Sequence, residues 1–181
     1  KLIFFFKSHE KEINNRKIIF PFYSLNDVKF RFLRDKLLST KQYNKLMLAM
    51  IKNSNFDYKL EFKNLFFSKK DIKEISNLGH IIGLHSHNHL TMLEKQPFAK
   101  QKNEYLTNKK ILEKITNKKI FSMSHPLGSY SKKTLEILNK LNIDLGFKQT
   151  IKIDEKIKKI NNSNLEIARE DHSNIMKRIK K

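Results

Sequence analysis

Two regimes of apolar spacing divide the chain. It opens on Leu2-Ile3-Phe4-Phe5-Phe6, a continuous apolar run that reads as a buried strand. The polar stretch from Lys7 to Lys17 then reads as a loop. From residue 18 to 67, Leu33, Leu37 and Leu38, then Leu46, Met47 and Met50, recur at spacings that fit two short helices, so 18–67 reads as a helical insertion. Eleven of the 14 Phe residues fall within 1–67. Stacking on sugar rings is one use for such a cluster, and core packing is the favoured one.

Beyond Phe67 the pattern becomes regular. Ser68 with Asp71 three residues later predicts a helix start, Ile72, Ile75 and Leu78 share one helical face, and Gly79 marks its end. Ile81 to Leu84 reads as a short strand. A longer helix follows from near Pro97, with Phe98, Tyr105, Leu112 and Ile115 on its apolar face. Lys119 to Ser124 reads as a strand, Pro126 to Ser129 as a turn, and Ser131 as the cap of a helix carrying Leu135, Leu138 and Leu141. Ile143 to Phe147 is the last strand, and Lys152 to Asn164 is a charged, Asn-rich loop. Helix and strand alternate three times, which predicts an α/β fold with parallel strands joined by crossovers. In such folds chemistry gathers at the carboxyl ends of the strands.

Composition changes this picture little. The 181 residues suit a single domain, and a charge of +20 follows from 38 Lys+Arg against 18 Asp+Glu. Of the basic residues 33 are Lys and only 5 Arg, spread along the chain beside 21 Ile, 18 Asn and 3 Ala, the bias of an AT-rich genome. A specific nucleic-acid reader would use more Arg, so none is expected as a partner. A polyanion-binding protein stays as a minor alternative. There is no Cys, which removes disulfides, thiolate metal sites and cysteine nucleophiles. No apolar run spans a bilayer, and no leader is visible in these residues, so the compartment is open with a lean to the cytoplasm. A chain that starts without Met, inside an apparent strand, is expected to continue upstream.

Four of seven histidines lie between positions 80 and 89. In Gly83-Leu84-His85-Ser86-His87-Asn88-His89 they follow directly on an expected strand. Imidazole is a common metal ligand, and such a string predicts a divalent metal site in preference to loop imidazoles satisfied by backbone or water. In an extended chain His85, His87 and His89 share a face, whereas a turn would converge His85 and His89 and send His87 elsewhere. A carboxylate ligand is expected as well. Metallo-β-lactamase-like proteins carry Asp where His89 stands, and the PHP phosphoesterase string lies near the N-terminus, so both match only in part.

The unit from Ser68 through Leu78-Gly79-His80 and Ile82-Gly83-Leu84 to His85-Ser86-His87-Asn88-His89 resembles the second motif of the polysaccharide deacetylase family (NodB-homology domain, carbohydrate esterase family four). Phe121-Ser122-Met123-Ser124-His125-Pro126-Leu127-Gly128-Ser129-Tyr130 resembles its third motif, and Ile167-Ala168-Arg169-Glu170-Asp171-His172 a late Arg-containing segment. The resemblance covers residues 68–172 as the best-matching catalytic segment. It implies a distorted (β/α)7 barrel, here a single incomplete domain over 1–181 that lacks its first strand and helix. It implies a hydrolase of sugar N-acetyl amide bonds, not peptide bonds, acting on a bacterial surface polysaccharide or glycan precursor. The cofactor would be a divalent metal, zinc in most members, held by His85 and His89 and one Asp. Ser86 would fix the loop, and His125, Pro126, Gly128 and Tyr130 would line or support the pocket. His172 would be the general acid, with Arg169 and Asp171 beside it.

The sequence also departs from the family. Its first motif, an Asp-Asp pair giving the base and the metal carboxylate, occurs nowhere in the chain. The run at Leu2–Phe6 resembles the strand after that motif, which places the pair upstream, and the chain alone is not expected to be catalytically competent. Ser124 stands where many members carry Arg. The alternative is a non-catalytic carbohydrate-binding derivative of the same fold.

Overall fold

The apolar run at the start of the chain is helical. In the computed structural model, which describes residues 2–54, 56–149, 151, 160–170, 175–176 and 179, helix α1 spans Leu2–Ser8 and helix α2 spans Glu10–Ile19. The expected strand at Leu2–Phe6 and the expected loop at Lys7–Lys17 are therefore both corrected. Five apolar residues in a row carry no periodicity, so the run alone cannot distinguish strand from helix. The fold decides by sidedness: Phe5 and Phe6 pack on a small core while Leu2, Ile3 and Phe4 stay exposed.

That core belongs to the first of two compact units, Lys1–Leu65. Ile13 on α2 and Val28 and Phe32 on α3 (Leu25–Lys36) are its buried residues. Asp35 ties the same two helices, its carboxylate accepting from Arg16 at 2.9 Å and from Arg34 at 2.8 Å. Burial alone would raise the Asp35 pKa, but the two guanidinium hydrogen bonds outweigh it and hold the carboxyl below the usual range. Helices α4 (Thr40–Asn53) and α5 (Tyr58–Leu65) complete the unit. The stretch 18–67 thus holds one helix more than its spacings suggest. Both α3 and α4 start on capping boxes, Ser24 with Asp27 and Ser39 with Gln42. Core packing accounts for Phe5, Phe6 and Phe32, but Phe4, Phe22 and Phe62 remain exposed, because a core of three buried residues offers too little surface.

The second unit, Phe66–Lys181, carries the α/β part. Helix α6 (Lys69–Asn77) begins on a capping box between Ser68 and Asp71. It ends in a Schellman motif: Gly79, at φ +95°, donates to Ser76, and His80 donates to Ile75. Strands β1 (Ser122–Ser124) and β2 (Leu145–Phe147) pair in parallel, Met123 opposite Gly146. Single parallel bridges extend the sheet on both sides, Leu84 to Met123 and Phe147 to Ile167. The order is therefore Leu84, β1, β2, Ile167, with α7 (Phe98–Thr116) and α8 (Lys132–Lys140) in the first two crossovers. Each strand is shorter than its apolar run, and Ile81–Leu84 contributes a single bridged residue.

Helix α7 packs against both α6 and α8. Beneath them Leu84, Tyr105, Met123, Ile137, Leu138 and Ile143 form the centre of the larger core. Among the described residues no helix is long and apolar enough to cross a membrane. Because the four segments run the same way, the residues that follow them, His85, His125, Lys148 and Ala168, all lie at one edge of the sheet.

Candidate metal centre

The chain turns sharply on leaving Leu84. Ser86 and His89 hold φ of +60° and +49°, a left-handed conformation that costs a non-glycine residue about 1–2 kcal/mol. Ser86 is buried, and its Oγ accepts from the His89 amide at 3.1 Å. This closes the turn and sets the His85 and His89 rings 4.8 Å apart between centroids, at 57° to each other. Of the two arrangements that the spacing allows, the turned one is therefore formed. The His87 amide points inward to Glu104 while the residue itself is exposed.

His85 is oriented by a second contact. Its Nδ1 lies 2.8 Å from the Ser124 carbonyl oxygen, which can only accept, so Nδ1 donates and the neutral ring carries its lone pair on Nε2. A ring fixed in this way by a backbone carbonyl is the usual state of a metal-ligating histidine. The two imidazoles therefore fit half of a divalent metal site. Among the described residues no third His, Cys, Asp or Glu joins them to make a cluster of three.

Two residues that spacing did not single out hold the turn from behind, both on α7. The Glu104 carboxylate accepts from the amides of His87 (3.2 Å) and Asn88 (2.7 Å) and from Asn88 Nδ2 (2.7 Å). Asn108 Oδ1 accepts from the His85 amide at 3.0 Å. A signal was present: Gln101, Glu104 and Asn108 interrupt the stripe of Phe98, Tyr105 and Leu112 with polar groups at helical spacing. Gln101 and Glu104 are buried, so they need partners.

The end of β1 is different in kind. His125 is 1% exposed, and its Nε2 donates to the Leu165 carbonyl at 2.8 Å, reaching the next chain segment instead of its own turn. Its ring stacks on Tyr130 at 4.3 Å. Burial lowers the His125 pKa, although the Leu165 bond and Glu166 oppose the shift. Partial burial and the Glu166 carboxylate push the Tyr130 hydroxyl up to about 12. His125 Nδ1, Ser124 Oγ and Tyr105 Oη are buried and have no hydrogen-bond partner among the described residues. Pro126 is buried and opens a 3-10 turn to Gly128, whose φ is +66°. Arg169 is exposed, two residues beyond the bridged Ile167. Asp171 and His172 lie outside the described residues.

Residues 36–146 match the sequence model of the polysaccharide deacetylase family, which is more than half of the chain and includes the whole turn. The chain belongs to the polysaccharide deacetylase family. Among solved structures, it is similar to the Streptococcus pyogenes deacetylase PplD in complex with acetate, with 27% identity and a TM-score of 0.50 over 58% of this chain and 45% of that one. It is also similar to the deacetylase domain of BpsB from Bordetella bronchiseptica, with 14% identity and a TM-score of 0.49 over 58% and 48%. The chain thus spans less than half the length of either structure. No curated protein matches it.

Proposed function

We propose that this chain is part of a metal-dependent deacetylase that removes N-acetyl groups from a sugar of a polysaccharide or glycan precursor. The observation that carries the reading is the His85–His89 pair at a parallel strand end, with His85 Nδ1 held by the Ser124 carbonyl. Family membership supports it. The acetate bound by the similar streptococcal deacetylase is the acid that such a reaction releases.

His85 and His89 would hold a divalent metal such as zinc, completed by a carboxylate from outside the described residues. Such a metal supplies Lewis-acid polarisation of the acetamide carbonyl. The protein's own residues prepare the site. Ser86 closes the turn, and the Ser124 carbonyl keeps the lone pair of His85 on Nε2. His125 and Tyr130 form a neutral stacked floor one strand along, since burial disfavours the charged forms of both. His172 is the proposed proton donor to the departing sugar nitrogen, with Arg169 and Asp171 beside it. The α/β segment would be part of a (β/α)7 barrel. The alternative is a carbohydrate-binding derivative that keeps the fold without turnover.

Zinc titration with an assay of acetate release from N-acetylglucosamine oligomers separates these readings. The expected result is one zinc per chain, lost in His85→Ala and in His89→Ala. Protein extended upstream that binds no zinc would sink the metal reading. Zinc binding without acetate release, in protein extended upstream, would favour the binding derivative.

A further inference from the structure

We infer that Glu104 is the positioning residue of the histidine pair: through its acceptor oxygens it holds the 85–89 turn in the shape that brings the two rings together. The inference rests on the reading of His85 and His89 as metal ligands. Ser86 and His89 both sit at positive φ without being glycine. Such residues persist only where the surroundings over-determine them. The Ser86–His89 hydrogen bond lies inside the turn and cannot anchor it to the fold. The anchor is on α7, a 19-residue helix packed on both sides.

Glu104 is 4% exposed, and both of its carboxylate oxygens are in use. Oε2 accepts the two successive amides of His87 and Asn88, and Oε1 accepts the Asn88 side-chain amide. Two adjacent backbone N–H groups converge on one oxygen only if the chain between the two ligands is bent. The carboxylate therefore selects the turned form over the extended one. Asn108, one turn further along the same helix face, fixes the start of the turn by accepting the His85 amide. Helix α7 thus sets the spacing of two side chains that it does not touch through its own sequence neighbours.

The acceptor role separates two substitutions of nearly equal size. Glu104→Met fills the same space and accepts nothing. Glu104→Gln keeps one oxygen for the two backbone amides, and Asn88 can rotate its side-chain carbonyl toward the new amide. Zinc titration of the chain should therefore show Glu104→Met weakened about 10–100-fold, as for other partners that orient metal ligands, and Glu104→Gln close to the parent. Amide hydrogen exchange should follow the same order, with His87 and Asn88 protected in the parent and in Glu104→Gln and fast in Glu104→Met. Parent-like affinity in Glu104→Met, or an equal loss in Glu104→Gln, overturns the inference. Should Glu104→Met not fold, the exposed Asn88→Asp sets a second carboxylate against Oε1. It must then show the same loss of affinity, and parent-like binding overturns the inference. If the parent, extended upstream, binds no zinc, the metal reading itself has failed. The NMR contact between the His85 and His89 rings then decides the role of Glu104: loss in Glu104→Met supports it, retention overturns it.

Discussion

A single hydrogen atom matters at Gly146. The second strand carries its neighbour so close that a Cβ there would lie 2.5 Å from the Leu165 carbonyl oxygen and 2.9 Å from the carbonyl carbon. The Gly146 amide donates to Asn164, and its carbonyl accepts from Ile167, both at 2.8 Å. A methyl group at this position must push the segment carrying Leu165 away. That segment also supplies the carbonyl on which the buried His125 donates. Gly146→Ala should cost about 1–3 kcal/mol, typical of an overpacked interior, and it should lower the urea midpoint of unfolding. An unchanged midpoint would contradict the close approach. The same residue-level economy appears at the histidine turn, where one hydroxyl, Ser86 Oγ, closes the loop and one carbonyl, that of Ser124, fixes a tautomer.

At the scale of elements, the helices of the second unit are well signalled and the first unit less so. Capping boxes at Ser68 and Ser131 and the glycine after α6 mark boundaries through local hydrogen bonds, which a sequence displays directly. Helices α1 and α2 carry no such mark: His9 makes no side-chain cap, and the run before it is uniformly apolar. Beside the small core, Asp35 ties α2 to α3 through Arg16. Its folded pKa lies below that of the unfolded chain, so its contribution is fully present above the unfolded value near 4 and is lost as pH falls through the folded value. The pair is only partly shielded from solvent, so about 1 kcal/mol is at stake. Asp35→Asn should lower stability at pH 7 by that amount and flatten the decline as pH falls below about 4. Circular dichroism across that range checks it, and parallel curves for the two proteins would argue against the tie.

For the whole molecule the relevant property is +20, carried on lysines of both units. Several of them already serve the fold. Lys109 reaches the Ile120 carbonyl and Glu113, and Lys118 the Ser76 carbonyl. Lysine charge attracts polyanions largely through counterion release, which falls steeply with salt. The chain should therefore be retained on heparin or DNA at low ionic strength and released by about 0.2 M salt. Retention well above that would revive the polyanion-binding reading. Charge of this kind would also favour approach to an acidic glycan without choosing the bond that is cleaved.

Much of the second unit was legible in the sequence because its signals are local. Caps, the glycine stop, the order of helix and strand, and the histidine string all lie within a few residues of what they specify. The family resemblance rests on the same ordered motifs, and membership follows from them. What the sequence left open was settled by groups far apart in the chain. Whether Leu2–Phe6 is strand or helix depends on Phe32, and whether His87 joins His85 and His89 depends on Glu104 and Ser124. His125 reads as a turn or pocket residue from its neighbours, yet its bond goes to Leu165, 40 residues away. The sequence by itself determined the elements of the second unit and the residue types at the strand ends. Only the tertiary structure decided which of those side chains meet, because a hydrogen bond across the fold leaves no periodicity in the chain.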